Sequence, residues 1–400
     1  MQIDLQLYLD HMATTPMLPC AQQAMWPWLH TYFANPSSPY AAAQFAHDAY
    51  ETARARIAHI FHCTPEEIIC TSGGTEAINL AIKGIVLSQI AAKPGPARVL
   101  TTPIEHAATL GACDYLNRWH QVHIEYIRVN ATGRIDLNDL EERLRTPATL
   151  CSIVLAHHEI GTVQDIHALS QLTYNAGVPL HLDAVQAIAW QGINTRQIPI
   201  DAFSFSGHKF GAGRGIGGLF LRSGRTIEPL IHGGNQEQGR RAGTQALPQV
   251  IAMAEALAYA QQHYWPSCVE LEKKRDQLLC AVMRAFPETH CIGHPSMRLS
   301  GHAALLFPGI HAAAVRQHLE MHGVLCSSTA ACGMHTGASP SLRALGYSEE
   351  EAQSAIRLML HPDMSEDTVQ IIGQVLCQAV AEVRALSSHV HQTGHCSGHP

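Results

Sequence analysis

Residues 67–84 read EIICTSGGTEAINLAIKG, and this stretch determines the fold class. Its first part, Glu67–Thr71, is a mostly apolar run that favours a β-strand. The glycine pair at 73–74 favours a turn, and the apolar residues over Thr75–Ile90 recur at helical spacing. The order strand, turn and helix is the beginning of a crossover unit, in which the helix returns the chain to a parallel neighbouring strand.

The same alternation continues to about residue 222. Short runs rich in β-branched residues predict further strands at Arg98–Thr102, Val122–Ile127, Leu150–Ala156, Leu180–Asp183, Ala202–Ser206 and Gly217–Leu221. Helical spacing between them predicts helices at His106–Trp119, Asp136–Leu144 and Asp165–Ala176. Near-continuous hydrophobicity in the strands indicates burial on both faces, so we expect a large α/β domain with a mostly parallel central sheet.

The pattern changes after Thr244. A long helical pattern runs from Leu247 to about Phe286, with a break expected at Pro266, and the last predicted helix covers Ser365–Leu386. The sequence therefore predicts a large α/β domain over residues 16–264, a smaller α+β domain from residues 1–15 and 265–386, and a disordered tail over residues 387–400.

The composition excludes several functional classes. The 400 residues are 46% hydrophobic, far above a disordered chain, and 33 acidic against 26 basic residues argue against nucleic acid as a primary ligand. No stretch is typical of a membrane span, because the most apolar one, Ala77–Ala92, contains Lys83. The N-terminus, MQIDLQLYLD, lacks the basic start of a secretory signal. We expect a cytoplasmic protein that binds neither nucleic acid nor a membrane directly.

The 12 cysteines are scattered along the chain without a CxxC pair. Cytoplasmic thiols stay reduced, so most are expected to be small buried apolar residues, and no metal site is predicted. The C-terminal residues His389, His391, His395, Cys396 and His399 could bind a metal, although a solvated terminus is the simpler interpretation.

The segment SFSGHKFGAGRGIGG, residues 204–218, places Lys209 directly after a predicted strand and before a glycine-rich loop. A lysine partly removed from water suits Schiff-base chemistry, in which its amine attacks a carbonyl carbon. A surface lysine in a glycine loop is the alternative interpretation.

Two further features point to the same edge of the sheet. The glycine turn before Thr75 offers backbone amides and a helix dipole to a compact phosphate, although such turns also serve packing. Asp183 ends the strand in LHLDAVQA (residues 180–187), where α/β sheets bind ligands, although it could also cap a helix. A carboxylate against a pyridine nitrogen and a lysine imine are fixtures of pyridoxal phosphate enzymes, so the three features together indicate that cofactor.

Taken jointly, the motifs resemble those of cysteine desulfurases of the NifS/IscS-like group, within the class V aminotransferase superfamily of fold-type I pyridoxal 5'-phosphate enzymes. The resemblance covers nearly the whole chain and is carried by YLDHMATTP (8–16), NPSS (35–38), TSGGTE (71–76), IEHAA (104–108), HHEIGTVQDI (157–166), LDAVQ (182–186), SFSGHK (204–209), HGGNQEQGRRAGT (232–244), SSTAACG (327–333), SLRALG (341–346) and IRLML (356–360). It implies conversion of L-cysteine to L-alanine, with transfer of the sulfane sulfur to an enzyme cysteine and on to an acceptor protein.

The resemblance also implies a role for each matching residue. Lys209 would carry the cofactor and move protons at the substrate Cα, and His106 would stack on the cofactor ring and take part in proton transfer. Asp183 would pair with the ring nitrogen, Gln186 with the phenolic oxygen, and Arg357 with the substrate carboxylate. The phosphate would be held by Gly74, Thr75, Ser206 and His208, together with Thr244 from the second subunit of a homodimer.

Cys332 distinguishes the implied reaction from its alternatives. By its sequence context alone it is one cysteine among 12, and a packing role is the simplest interpretation. The resemblance instead makes it the nucleophile, whose thiolate would attack the sulfur of the bound cysteine and become a persulfide. A selenocysteine lyase, or another class V lyase or aminotransferase, is the alternative function.

The acceptor protein stays open. The C-terminal residues do not resemble the tail that docks an iron–sulfur cluster assembly scaffold, so tRNA thiolation and DNA phosphorothioation are also candidate destinations of the sulfur.

The chain departs from the family pattern where His157, His158 and Glu159 replace Asn-Asn-Glu. The second asparagine normally lies on the cofactor side of the pocket, so His158 is predicted to contact the cofactor. Because histidine titrates near neutrality, we hypothesise an altered pH dependence or substrate fit.

Overall fold

The structure is a computed structural model that describes residues 3–93, 95–328 and 339–393, with the backbone alone over 387–393. In these residues a central sheet is formed by β1 (Ile68–Thr71), β2 (Arg98–Thr101), β3 (His123–Tyr126), β4 (Leu150–Val154), β5 (Leu180–Asp183), β6 (Ala202–Ser206) and β7 (Gly217–Leu221). The strand order is β1-β7-β6-β5-β4-β2-β3. Strands β2 to β6 pair in parallel, and β7 runs antiparallel between β1 and β6. The predicted α/β class with a mostly parallel sheet is confirmed.

Helices cover the sheet and connect its strands. They are α1 (Pro19–His30), α2 (Ala41–Ile60), α3 (Gly74–Ala92), α4 (Ala107–His120), α5 (Leu137–Leu144) and α6 (Ile166–Asn175). The last three begin one residue later than predicted because His106, Asp136 and Asp165 are N-caps, whose side chains accept hydrogen bonds from first-turn amides.

The long helical pattern after the sheet is interrupted, as predicted. Helix α7 covers Leu247–Tyr259, a π-helical turn follows over Ala260–Tyr264, and α8 covers Cys268–Ala285. Pro266 lies between the turn and α8, where its missing N–H prevents a continuous ladder of helical hydrogen bonds.

A second, antiparallel sheet lies in the C-terminal part. It consists of β8 (His290–Cys291), β9 (His302–Leu306), β10 (Ser327–Ser328) and β11 (Ala355–Met359), in the order β10-β11-β9-β8, with helices α9 (Ala312–Met321), α10 (Pro340–Ala344), α11 (Glu349–Gln353) and α12 (Glu366–Thr393). The N-terminal segment joins this part, because the amide of Leu9 donates to Leu325 O and the amide of Met359 donates to Leu9 O. This pairing supports the grouping of residues 1–15 with the small domain, while the domain boundaries stay a prediction.

Helix α12 continues beyond its predicted end at Leu386 to Thr393. The sequence contains no glycine or proline between these residues, so nothing ends the helix before Gly394. The predicted disorder of the tail is otherwise untested, since residues 394–400 lie outside the described part of the chain. Among the described helices, the portion Glu366–Leu386 has the length and mean hydropathy (1.2) of a membrane span, and it packs on α8 and α9.

Candidate active site

A cavity of about 210 Å³ lies at the carboxyl ends of β4, β5 and β6, beside the first turn of α3. It is lined by Gly74, Thr75, Ile78, His106, Val154, Ala156, His158, Asp183, Val185, Gln186, Ser206, His208 and Lys209. This set includes every residue that the sequence predicted to contact the ring or phosphate from the same chain. A more open cavity of about 620 Å³ contains none of them, so the smaller cavity is the candidate site.

The first turn of α3 forms an anion-binding end of the cavity. The amides of Gly74 and Thr75 have no acceptor within the helix, because they belong to its first turn. A Cβ at Gly74 would lie 2.8 Å from Val185 Cγ2 and 3.3 Å from Ser206 Cβ. Glycine therefore allows the turn and the end of β6 to approach each other closely.

Glu76 lies in the same turn but is bound elsewhere. Its carboxylate accepts a hydrogen bond of 2.7 Å from the Ser72 amide and pairs with Arg241 Nε at 2.8 Å. Although burial opposes the effect, the hydrogen bonds from Arg241 and Ser72 lower the pKa of Glu76. The carboxylate is thus directed to the segment that contains Arg241 rather than to the first amides of the helix.

Lys209 and His208 lie against the N-terminal segment. The Lys209 ammonium donates to the main-chain carbonyls of Met12 and Ala13, the latter at 3.0 Å. The ring of His208 lies 3.2 Å from Thr14 Oγ1, measured from Nδ1. Burial, reinforced by the charges of Lys209 and Arg214, lowers the pKa of His208 to about 4, so its ring is neutral at pH 7. The lysine head is thereby held at one wall of the cavity.

Two carboxyl groups at or near the cavity are buried, and of these Asp183 lines it. Asp183, at the end of β5, accepts a 3.1 Å hydrogen bond from the Val185 amide. Burial raises the pKa of Asp183, and the neighbouring His106 and Lys209 side chains oppose that rise. Burial also raises the pKa of Glu105 to about 8, with a 2.7 Å hydrogen bond from Thr102 acting against it. Because Asp183 lines the cavity and Glu105 does not, a cationic group in the cavity would stabilise the ionised form of Asp183 more.

Three imidazoles form a row, of which those of His106 and His158 line the cavity. His106 accepts a 3.1 Å hydrogen bond at Nδ1 from the Ala108 amide, so the neutral ring carries its proton on Nε2. The His158 ring meets that of His106 edge to face at 5.5 Å and stacks on that of His157 at 4.9 Å. Burial first, and then the neighbouring histidines, Arg357 and Lys209, hold the pKa of His158 well below its usual value. Burial therefore argues against a titration of His158 near neutrality, on which the hypothesised pH dependence is based, while the altered substrate fit stays a prediction.

Arg357 lies just behind this row. Its side chain is 1% exposed, pairs with Asp10 at 2.8 Å and donates to the main-chain carbonyl of His158 at 3.2 Å. It does not line the 210 Å³ cavity itself. The guanidinium is thus one residue away from the cavity wall, held by a carboxylate of the N-terminal segment.

Besides Arg357, two predicted site residues are absent from the described lining of the cavity. Thr244 is exposed on the segment after Arg241, which agrees with its expected contribution to a second subunit but does not test it. Cys332 lies outside the described residues. The first described residues after it do contact the site: the Ser339 hydroxyl donates to the Glu159 carboxylate, and the Ser341 hydroxyl lies 3.1 Å from His157 Nε2.

Sequence reasoning missed the contacts of the N-terminal segment with the site. The Met12 carbonyl accepts from both Lys209 and Gln186, the latter at 2.9 Å, and Asp10 pairs with Arg357. A main-chain carbonyl carries no side-chain signal. Only the charge of Asp10 in the YLDHMATTP motif could have indicated a partner.

Comparison with known proteins identifies relatives over nearly the whole chain. The family described as Aminotransferase class-V matches residues 7–372. Cysteine desulfurase 2 of Trichormus variabilis is 36% identical over 383 residues, which cover 95% of this chain and 94% of that protein.

Solved structures agree with this similarity. A NifS-like protein superposes with a TM-score of 0.86 at 28% identity, covering 95% of this chain and 100% of its own. The structure of SspA in complex with cysteine superposes with a TM-score of 0.78 at 30% identity, covering 90% of this chain and 99% of its own.

Proposed function

Because this chain belongs to the aminotransferase class-V family and is a cysteine desulfurase, we propose that the 210 Å³ cavity binds pyridoxal 5'-phosphate and L-cysteine. The arrangement of Lys209, Asp183 and the first turn of α3 around one cavity carries this proposal. An anion-binding turn, a buried carboxylate and a primary amine match the phosphate, the ring nitrogen and the carbonyl carbon of the cofactor. The space beside Gly74, which a Cβ would fill, leaves the backbone amides of this turn accessible to a phosphate.

The proposed roles follow from the geometry. Gly74, Thr75, Ser206 and His208 hold the phosphate, and Gln186 uses an amide hydrogen toward the phenolic oxygen. When bound, the cofactor supplies an electrophilic carbon and a ring that withdraws electrons from the substrate Cα.

Three side chains hold or move protons in the proposed reaction. Asp183 keeps the ring nitrogen protonated, because a cation next to this buried carboxylate stabilises both charges. Lys209 removes and returns the proton at Cα, and His106, which lines the cavity, takes part in proton transfer.

Arg357, which lies behind the cavity wall at His158, is proposed to bind the substrate carboxylate through its planar, bidentate guanidinium. The Asp10 pair keeps this buried cation in a fixed orientation.

Cys332 is proposed to accept the sulfur. Its thiolate attacks the substrate sulfur, the Cβ–S bond breaks, and Cβ takes a proton, so L-cysteine and the enzyme thiol become L-alanine and the Cys332 persulfide. Several of the other cysteines are unsuited to this task, since burial raises the pKa of Cys70, Cys113 and Cys326 to about 12 and keeps them as thiols.

The test is incubation of the purified protein with L-cysteine, followed by intact-mass analysis and alanine quantification. We expect a gain of one sulfur atom that maps to Cys332, with release of alanine. Cys332→Ser should retain the cofactor absorbance and lose the persulfide, with Cys280→Ser, an exposed cysteine, as the matched control. Full alanine release by Cys332→Ser would contradict the proposal and favour a lyase that has no need of this thiol.

We further propose a homodimer in which Thr244 reaches the phosphate of the partner. Thr244 is exposed, and so are large aromatic side chains of α1, α2 and the segment between them: Trp26, Phe33, Tyr40 and Phe45, at 60%, 78%, 54% and 51%. The Ser37 hydroxyl of that segment donates to the side chain of Gln245, the residue next to Thr244. Exposed apolar patches of this kind are typical of protein interfaces. Phe33→Lys with Tyr40→Lys should shift the sedimentation coefficient to that of a monomer, whereas Trp119→Lys, also on an exposed aromatic, should leave it unchanged. A wild-type monomer with full activity would overturn the dimer.

A sulfur-acceptor protein completes the proposed reaction, whether it serves iron–sulfur cluster assembly, tRNA thiolation or DNA phosphorothioation. The ten described cysteines are free thiols, which supports the cytoplasm as the proposed location.

A further inference from the structure

His157 is a buried histidine beside the candidate site whose ring is held on both sides. Its Nδ1 accepts hydrogen bonds from the amides of Glu159 at 3.1 Å and Ile160 at 3.4 Å. The neutral ring therefore carries its proton on Nε2, which donates to Ser341 Oγ at 3.1 Å. Both nitrogens are used, so the plane of the ring is fixed.

The ring of His158 depends on that plane. The two ring planes are 14° apart and their centroids are separated by 4.9 Å. The main-chain carbonyl of His158 accepts hydrogen bonds from Arg357 at 3.2 Å and from His302 at 3.3 Å. Glu159 Oε1 lies 3.6 Å from its Nε2, which is beyond a hydrogen bond. Stacking on His157, together with the edge contact to His106, thus restrains the orientation of this ring.

The turn that contains both rings is itself tightly packed. Gly161 has φ +76°, and a Cβ there would lie 2.4 Å from the ring of His302. The amide of Gly161 donates to His157 O, and the amide of His157 donates to Thr162 O. The turn thus packs closely against His302, which limits how far its backbone can absorb a change in the orientation of the His157 ring.

From these contacts we infer that His157 is a positioning residue of the desulfurase reaction: anchored by Ser341, its ring sets the orientation of His158 and, through it, the edge of His106 at the cavity wall. The inference rests on the proposed function, since it requires that the cofactor occupies the cavity lined by His106 and His158. His157 acts through His158 and does not itself line the cavity.

Electrostatics favour this arrangement. Burial lowers the pKa of His157 to about 4, and the pKa of His158 is lowered further by the neighbouring imidazoles. Two neutral rings stack without charge repulsion, and neither adds a third positive charge beside Lys209 and Arg357.

The test uses two variants that remove different parts of the anchor. Ser341→Ala removes the hydroxyl that holds the His157 ring and leaves the stack. His157→Asn keeps an oxygen that can accept the Glu159 and Ile160 amides, but it removes the ring on which His158 stacks. The matched control is Ser152→Ala, because Ser152 also holds a buried imidazole, His181, at 2.9 Å, and that imidazole does not line the cavity.

The readouts are the absorbance maximum of the bound pyridoxal 5'-phosphate, its dissociation constant from equilibrium dialysis, and the separate values of kcat and KM. Ser341→Ala and His157→Asn should shift the absorbance maximum and weaken cofactor binding about 3- to 10-fold, the range expected for one lost hydrogen bond. The kcat should fall by a similar factor, while KM for L-cysteine stays within about twofold, because Arg357 is untouched. Ser152→Ala should lower the thermal midpoint and leave all three readouts unchanged.

Two failures are distinguishable. If the wild-type protein binds no pyridoxal 5'-phosphate or forms no persulfide with L-cysteine, the proposed function fails. If the wild type does both and the two variants change only the thermal midpoint, as Ser152→Ala does, then His157 is merely structural and the inference is overturned.

Discussion

Single residues at this site are defined by what surrounds them as much as by their type. His158 is a histidine at a position where an amide is usual in the family, and burial among His157, Lys209 and Arg357 holds its pKa well below the usual range. Arg357 is a buried cation that needs the Asp10 carboxylate 2.8 Å away. Both environments lead to predictions that the residue types alone would not give.

The first concerns pH. Because His158 is neutral throughout the neutral range, it loses and gains no proton there, and His158→Asn removes no titration between pH 6 and 8. We expect kcat to change while the midpoints of the pH profile of kcat/KM stay in place. A midpoint that moves by more than about half a pH unit would contradict the conclusion that His158 is neutral in this range.

The second concerns substrate binding. Arg357→Lys keeps the charge and loses the planar pair of donors, so the substrate carboxylate loses a charged hydrogen bond. Such a bond contributes about 1.5–3 kcal/mol, and KM for L-cysteine should rise about 10- to 100-fold with a smaller change in kcat. Arg275→Lys is the control, because Arg275 is equally buried but donates to the main chain of Leu299 and Ser300. An unchanged KM in Arg357→Lys would mean that a group other than Arg357 binds the substrate carboxylate.

At the scale of elements, the strand–turn–helix unit around Gly73 is held by its neighbour β7. A Cβ at Gly217 would lie 2.7 Å from Gly73 Cα and 2.7 Å from Phe205 O, and both of these atoms belong to the main chain. Neither can retreat as a flexible side chain would. The start of β7 therefore supports the turn that precedes α3 and its anion-binding amides.

Gly217→Ala should consequently affect both stability and cofactor binding. Overpacking of this kind costs about 1–3 kcal/mol of unfolding free energy, and displacement of the turn should weaken binding of pyridoxal 5'-phosphate. Gly111→Ala is the matched control, since Gly111 lies inside α4 with no atom within 4 Å of the added Cβ. It should gain up to about 1 kcal/mol, as alanine favours helix, and leave binding unchanged. Urea unfolding and equilibrium dialysis measure the two effects; wild-type affinity in Gly217→Ala would refute the supporting role of β7.

At the scale of the whole molecule, buried neutral histidines link stability to pH. His11, His157, His181 and His302 are buried, and burial lowers the pKa of His11 and His181 to about 3 and of His157 to about 4. In the unfolded chain these rings take up a proton near pH 6.5, whereas in the folded protein they stay neutral. The unfolded state then binds more protons, so stability falls as the pH drops below about 6.5.

Mildly acidic pH should therefore already lower the free energy of unfolding. Each such histidine contributes a slope of up to about 1.4 kcal/mol per pH unit between its folded and unfolded pKa. Glu105, Asp183 and Glu159, whose pKa values burial raises, act in the opposite direction but are fewer than the buried histidines. We expect the urea midpoint to fall steeply from pH 6.5 to 5, and His181→Asn to reduce the slope by about one proton. A midpoint independent of pH in this range would contradict the neutral burial of these rings.

Much of this molecule could be predicted from its sequence. The bounds of β5, β6 and β7 agree with the predictions residue for residue, because strands buried on both faces appear as short continuous apolar runs. The shifted helix starts at His106, Asp136 and Asp165 reflect capping, which uses the side chain of the residue before the helix.

The sequence by itself determined the α/β class, the order of the elements and the residue types at the ends of β5 and β6, since these depend on local periodicity and on the chemistry of single side chains. Only the tertiary structure decided which distant groups meet. Asp10 and Arg357 are 347 positions apart, and the Met12 carbonyl reaches Lys209 across 197. Local patterns carry no information about such contacts, and the neutral state of His158 likewise arises from burial and neighbouring charges that exist only in the folded chain.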